Sequence, residues 1–94
     1  MATYVVFGRY TAEGMKGMSA ERTAKAASLA QKFGGEIKAM YALLGATDLV
    51  AIVEFPGTEQ AMQASVAMTK LTNIQFTTAP AVSVEDFDRL MAEV

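Results

Sequence analysis

The stretch Leu43–Phe55, LLGATDLVAIVEF, is the most apolar part of the chain, and only a short turn and one acid, Asp48, break it. Its second half, DLVAIVEF, is rich in β-branched residues and stops at Pro56-Gly57, as a strand does. Its first half completes another such run, EIKAMYALL, from Glu36 to Leu44. Two apolar runs joined by Gly45-Ala46-Thr47 read as a β-hairpin, with Gly45 free to take a positive φ. This turn pairs Leu44 with Asp48, Ala42 with Val50, Met40 with Ile52 and Lys38 with Glu54 on one face. The other face, Ile37, Ala39, Tyr41 and Leu43 against Phe55, Val53, Ala51 and Leu49, carries no charge and is expected to meet the helices.

Outward from the hairpin the remaining elements fall into order. ATYVVFGRY (residues 2–10) reads as a strand, and TAEGMKGM (11–18), broken by Gly14 and Gly17, as a loop. Ser19 caps a helix over 20–33, with Thr23, Ala27, Ala30 and Phe33 in register and Gly34-Gly35 at its end. Thr58 caps a second helix whose stripe is Ala61, Ala64, Ser65, Met68 and Leu71. NIQFTTAPAV (73–82) is a weaker strand, and Pro80 suits it to an edge. SVEDFDRLMAEV (83–94) is a short helix with Ser83 and Asp86 spaced as a capping box. The order β-α-β-β-α-β-α predicts an α+β, ferredoxin-like sandwich of 94 residues in one domain, its first and third strands central.

The face away from the helices collects Val5, Phe7, Met40, Ala42, Leu44, Val50 and Ile52. A sheet face bathed in water alternates to polar residues more cleanly than this. Three occupants compete for it: the C-terminal helix, a small apolar ligand, or a second copy packed sheet against sheet. The last is preferred, because the final helix is short and carries Glu85, Asp86 and Asp88. Apolar residues make up 52% of the chain, more than a small monomer easily hides.

The chemistry is sparse. There is no His and no Cys, which removes the commonest general base, thiol chemistry, disulfides and the usual zinc and iron–sulfur ligands. No cofactor is expected. Neither phosphate-binding glycine fingerprint is present. A net charge of −2 gives no footprint for nucleic acid or an anionic membrane, and no apolar stretch reaches the ~20 residues of a membrane helix. Without a basic region and apolar run at its start, the chain is expected to be cytoplasmic. Glu54 and Asp48 stand at opposite ends of one strand, about 20 Å apart, too far for paired acid–base work.

The candidates that converge where the first strand ends and the third begins are Arg9, Tyr10, Lys16 and Asp48. Arg9 would hold an anion, and Asp48 or Tyr10 would move a proton. Asp48 also has a plainer reading, as acceptor for the turn amides of residues 45–47 with Arg9 as its cross-strand partner. That reading is preferred.

Together, YVVFGRYTAEGMKGM, KFGGEIKAMYALLGATDLVAIVEFP and SVEDF resemble the GYD domain family over nearly the whole length. The family's Gly-Tyr-Asp signature corresponds to Gly45-Ala46-Thr47-Asp48, with Thr47 in place of the tyrosine. The resemblance implies a ferredoxin-like fold of the dimeric α/β-barrel type and no established activity. The function expected is a self-associating binding or structural module with a small apolar cavity between sheet faces. Its partners would be a second copy and a small apolar or anionic ligand. A cofactor-independent monooxygenase or isomerase is the alternative, by fold analogy.

Overall fold

The computed structural model describes residues 1–94. Strands β1 (Ala2–Tyr10), β2 (Glu36–Ala42), β3 (Leu49–Phe55) and β4 (Ile74–Ala81) form one antiparallel sheet in the order β2-β3-β1-β4. Helices α2 (Ala20–Lys32) and α3 (Thr58–Thr72) pack together on one of its faces. This is the α+β, ferredoxin-like arrangement, with β1 and β3 central and Pro80 on an edge strand. Two short helices complete the chain, α1 (Ala12–Lys16) and α4 (Val84–Met91). No helix is long and apolar enough to cross a membrane.

Local chemistry explains most boundaries. Ser19 accepts the Arg22 N–H (3.0 Å) and Ser83 the Asp86 N–H (3.0 Å), so both helices start where a hydroxyl takes an orphan amide. The Asp86 carboxylate does not return the bond to Ser83; it pairs with Arg89, so the capping box is half made. Residues 11–18 are not all loop: Thr11 caps α1 through the Gly14 N–H (2.9 Å) and donates to the Asn73 carbonyl (2.6 Å). At α3 the cap is Gly57, without a side-chain bond, and Thr58 is already helical. Gly34 ends α2 at φ +79°, and Gly35 lies so close to the Phe55 ring that a Cβ there would overlap it.

The β2–β3 register departs from the expected one. Glu36 and Ile37 oppose Glu54 and Val53, but Ala39, Met40, Tyr41 and Ala42 oppose Ile52, Ala51, Val50 and Leu49. The ladder slips between Ile37 and Ala39, leaving Lys38 as the extra residue of a β-bulge. Beyond the bulge every side chain changes face. Met40 and Ala42, expected on the open face, therefore turn to the helices, and Ala39 and Tyr41 take their place outside. The exchange has a physical logic. Methionine moves in without polar cost, the Tyr41 hydroxyl stays in water, and Lys38 reaches Glu36 (3.6 Å) beside the facing Glu54. The connecting loop is correspondingly one residue longer, Leu44 to Thr47, and Gly45 does not adopt a positive φ.

α4 stands apart from this body. None of its residues is buried, and it makes no substantial packing contact with any other element. It projects from the end of β4 and stretches the molecule to 48 Å. The radius of gyration is 14.2 Å, against roughly 12.4 Å for a compact chain of this length. The open face is not covered by it.

Candidate functional site

Asp48 is placed by three hydrogen bonds. Its N–H donates to the Gly8 carbonyl (2.8 Å), and its own carbonyl accepts the Leu43 N–H (2.8 Å). Its carboxylate accepts the Tyr10 N–H (2.9 Å). Continuing the β1–β3 register would set Thr47 opposite Tyr10, but β3 has already turned away. The carboxylate stands where that missing backbone carbonyl would be and carries the ladder one step further. This explains an acid at the mouth of two apolar strands, and it corrects the expected role. The amides of Gly45, Ala46 and Thr47 make no bond to it, and Arg9 does not pair with it.

The four expected residues do not form one constellation. Tyr10 and Asp48 meet, through the Tyr10 backbone. Arg9, next in the chain, lies exposed on the open face opposite Gln75 with no acidic partner. Lys16 is exposed on α1 and pairs with Glu13 (3.5 Å). No group of three or more acidic side chains gathers as metal ligands.

Two other features do gather residues. On the open face, two apolar rows run across all four strands: Ala39, Ile52, Val5 and Ala79, then Tyr41, Val50, Phe7 and Thr77. Phe7 is 38% exposed and Tyr41 63%. A polar row of Glu36, Glu54 and Thr3 bounds them at one end, and Arg9 with Gln75 at the other.

On the helix side, a cavity of about 360 Å³ lies between the sheet and α2 and α3. It exists because the inward positions of both helices are alanines, Ala26, Ala30 and Ala64 among them. No large side chain is fully buried anywhere in the molecule. Most of the lining is apolar, Met40 and Ala42 included. Its polar groups are Tyr10, Arg22, Thr23, Ser65 and Thr72. Ser65 bonds Thr78 (3.1 Å), Thr72 bonds the Met68 carbonyl (2.8 Å), and Thr23 the Ser19 carbonyl (3.2 Å). The Tyr10 hydroxyl has no partner; the Arg22 guanidinium has one, the Gly14 carbonyl (2.6 Å), and no carboxylate. Thr23, Ala30, Ala64 and Ser65 belong to the stripes expected from the sequence, but Ala26 faces in where Ala27, which is exposed, is expected, and the sequence pattern does not mark Arg22. Its signal, a cation in the first turn of α2 beside the inward-facing Thr23, is recognisable only once the void is known.

The family model for the GYD domain matches residues 4–91. The chain belongs to the GYD domain family. No curated protein sequence matches it. Among solved structures, this GYD domain is similar to a leucine response regulatory protein from Mycobacterium tuberculosis, with TM-score 0.58, 10% identity and 87% of this chain covered against 51% of that one. It is also similar to an AsnC family transcriptional regulator from Agrobacterium tumefaciens, with TM-score 0.59, 19% identity and 87% against 50% covered. The GYD domain thus spans about half the length of either, and the likeness is one of fold.

Proposed function

We propose that this GYD domain is a self-associating binding module in which two copies close their open sheet faces on each other as a dimeric α/β barrel. The observation that carries the reading is the two apolar rows bounded by polar rows on a face that nothing in the chain covers. An apolar centre with a polar margin is the anatomy of a protein interface, and left in water it would be an aggregation liability. The second copy is the favoured occupant because α4 supplies a further unpartnered apolar stripe, Val84, Phe87, Leu90 and Met91, on the same chain. α4 leaves the sheet at the Thr3 end. A two-fold partner whose strands run the opposite way brings its Arg9 end alongside, where Asp88, which has no ion pair in its own helix, meets an unpaired cation.

The small-molecule part of the reading draws on the helix-side cavity rather than on space between sheets. One solved neighbour is described as a leucine response protein, which accords with small-molecule sensing on this fold; at 10% identity it supports the reading by fold alone. Sedimentation velocity at micromolar concentration is the test of assembly. A dimer is expected, and a stable monomer would sink the proposal.

A further inference from the structure

The helix-side cavity has a direction. At one end Phe55, Ile37 and Ala30 close it with apolar groups. At the other, Arg22 bonds the Gly14 carbonyl, Gly14 abuts Thr72 to Ile74, and Ile74 pairs with Tyr10. Two lining groups with donors still free, the Tyr10 hydroxyl and the Arg22 guanidinium, therefore belong to the same end. Both donate, and one is a cation with no carboxylate to neutralise it.

From this polarity we infer that the cavity is a binding site for an apolar monocarboxylate, its chain among the alanines and its carboxylate between Arg22 and Tyr10. Size agrees: about 360 Å³ is more than twice the roughly 150 Å³ of an apolar protein cavity that takes up benzene. Charge agrees as well, since a guanidinium binds a carboxylate by charge-assisted, directional bonds and gains nothing from an amine. A guanidinium at the end of an otherwise apolar void is poorly matched to a neutral hydrocarbon, which offers it no acceptor. The site extends the binding-module reading to the covered side of the sheet, and it is complete within one chain, so it stands or falls apart from the dimer.

Isothermal titration with octanoate, octanol and octylamine, below their aggregation limits, tests the assignment. Octanoate should saturate at one site per chain, octanol should bind about tenfold more weakly, and octylamine not measurably. Arg22→Gln should weaken octanoate about tenfold while leaving octanol unchanged. Ala64→Leu, which puts three further carbons into the cavity, should weaken octanoate binding about tenfold or more without lowering the melting temperature, so that loss of the site is separated from loss of the fold. The Phe7→Asp variant, designed to be monomeric, should still bind octanoate. The inference is overturned if octanoate fails to saturate, if all three probes bind alike, if Ala64→Leu binds as well as the parent, or if binding disappears with the dimer.

Discussion

The two faces of the sheet fail to pack in opposite ways. The helix side is covered but not filled: α2 and α3 lie over it and present alanines, and a void remains. The open side is not covered, with Phe7, Tyr41, Val50 and Ile52 in two rows facing away from the helices. Covering a face and filling it are separate achievements. Topology secures the first through the crossover connections, while side-chain volume secures the second. In this chain the sheet lends large side chains to both faces, Phe55, Ile74 and Met40 towards the helices and Phe7 and Tyr41 away from them, and it is the alanines of α2 and α3 that leave the covered side short of volume. On the reading proposed above, the bare face receives a protein surface and the hollow one a small molecule.

The sharpest way to break the comparison is on the open side. Phe7→Asp puts a charge in the middle of the apolar rows and should weaken self-association by about a hundredfold or more. Because Phe7 is already partly exposed in the single chain, the fold should survive, and sedimentation with circular dichroism checks both points. A Phe7→Asp protein that remains dimeric would place the interface elsewhere.

The next largest effect belongs to the most crowded glycine, Gly35. At Gly35 a methyl group meets the Phe55 ring and the Glu54 carbonyl. Gly35→Ala should cost about 2–3 kcal/mol in denaturant melts, as overpacking does. An indifferent Gly35→Ala would mean that this end is as loose as the rest.

Ala64→Leu probes the hollow part and should have the opposite sign. In a filled core the added atoms would destabilise by about 1–3 kcal/mol; here they enter a void and should stabilise by about 1 kcal/mol. Destabilisation of the size found at Gly35 would remove the asymmetry between the two ends.

How much of this was legible beforehand depends on which residue carried the signal. Strand order, the central β1 and β3, the edge position of Pro80 and the Ser19 and Ser83 caps follow from patterns contained within single segments. The register of β2 does not. EIKAMYALL is apolar on both parities, so moving one residue across the strand costs little by pattern alone, and the bulge at Lys38 is decided by what Met40 and Tyr41 meet in three dimensions. That single bulge is why Met40 and Ala42 were expected outside and are found inside. Of the candidate site, strand parity sets Arg9 on the face of Asp48 and Tyr10 on the other, whereas the contact found is between the Tyr10 backbone N–H and the Asp48 carboxylate, which no side-chain pattern announces. Arg22 was invisible because a cavity is an absence of volume, and alanine spacing looks the same over a tight interface and over a void.

The smallest effect concerns Asp48, which belongs by parity to the open face yet serves neither face. If its carboxylate stands in for a strand carbonyl, Asp48→Ala strands the Tyr10 N–H at a half-exposed position and should cost about 1 kcal/mol, toward the low end for an orphaned amide because water can reach it. Asp48→Asn keeps an acceptor oxygen and should recover much of that loss, giving up only the charge. An Arg9–Asp48 ion pair would abolish the ranking: Asn and Ala would then be equivalent, because both remove the charge, and Arg9→Ala would cost as much as either. Melts of the three variants, with amide exchange read at Tyr10, separate the accounts. Faster Tyr10 exchange in the Ala variant alone is the outcome the geometry requires, and equal exchange in Asn and Ala would defeat it.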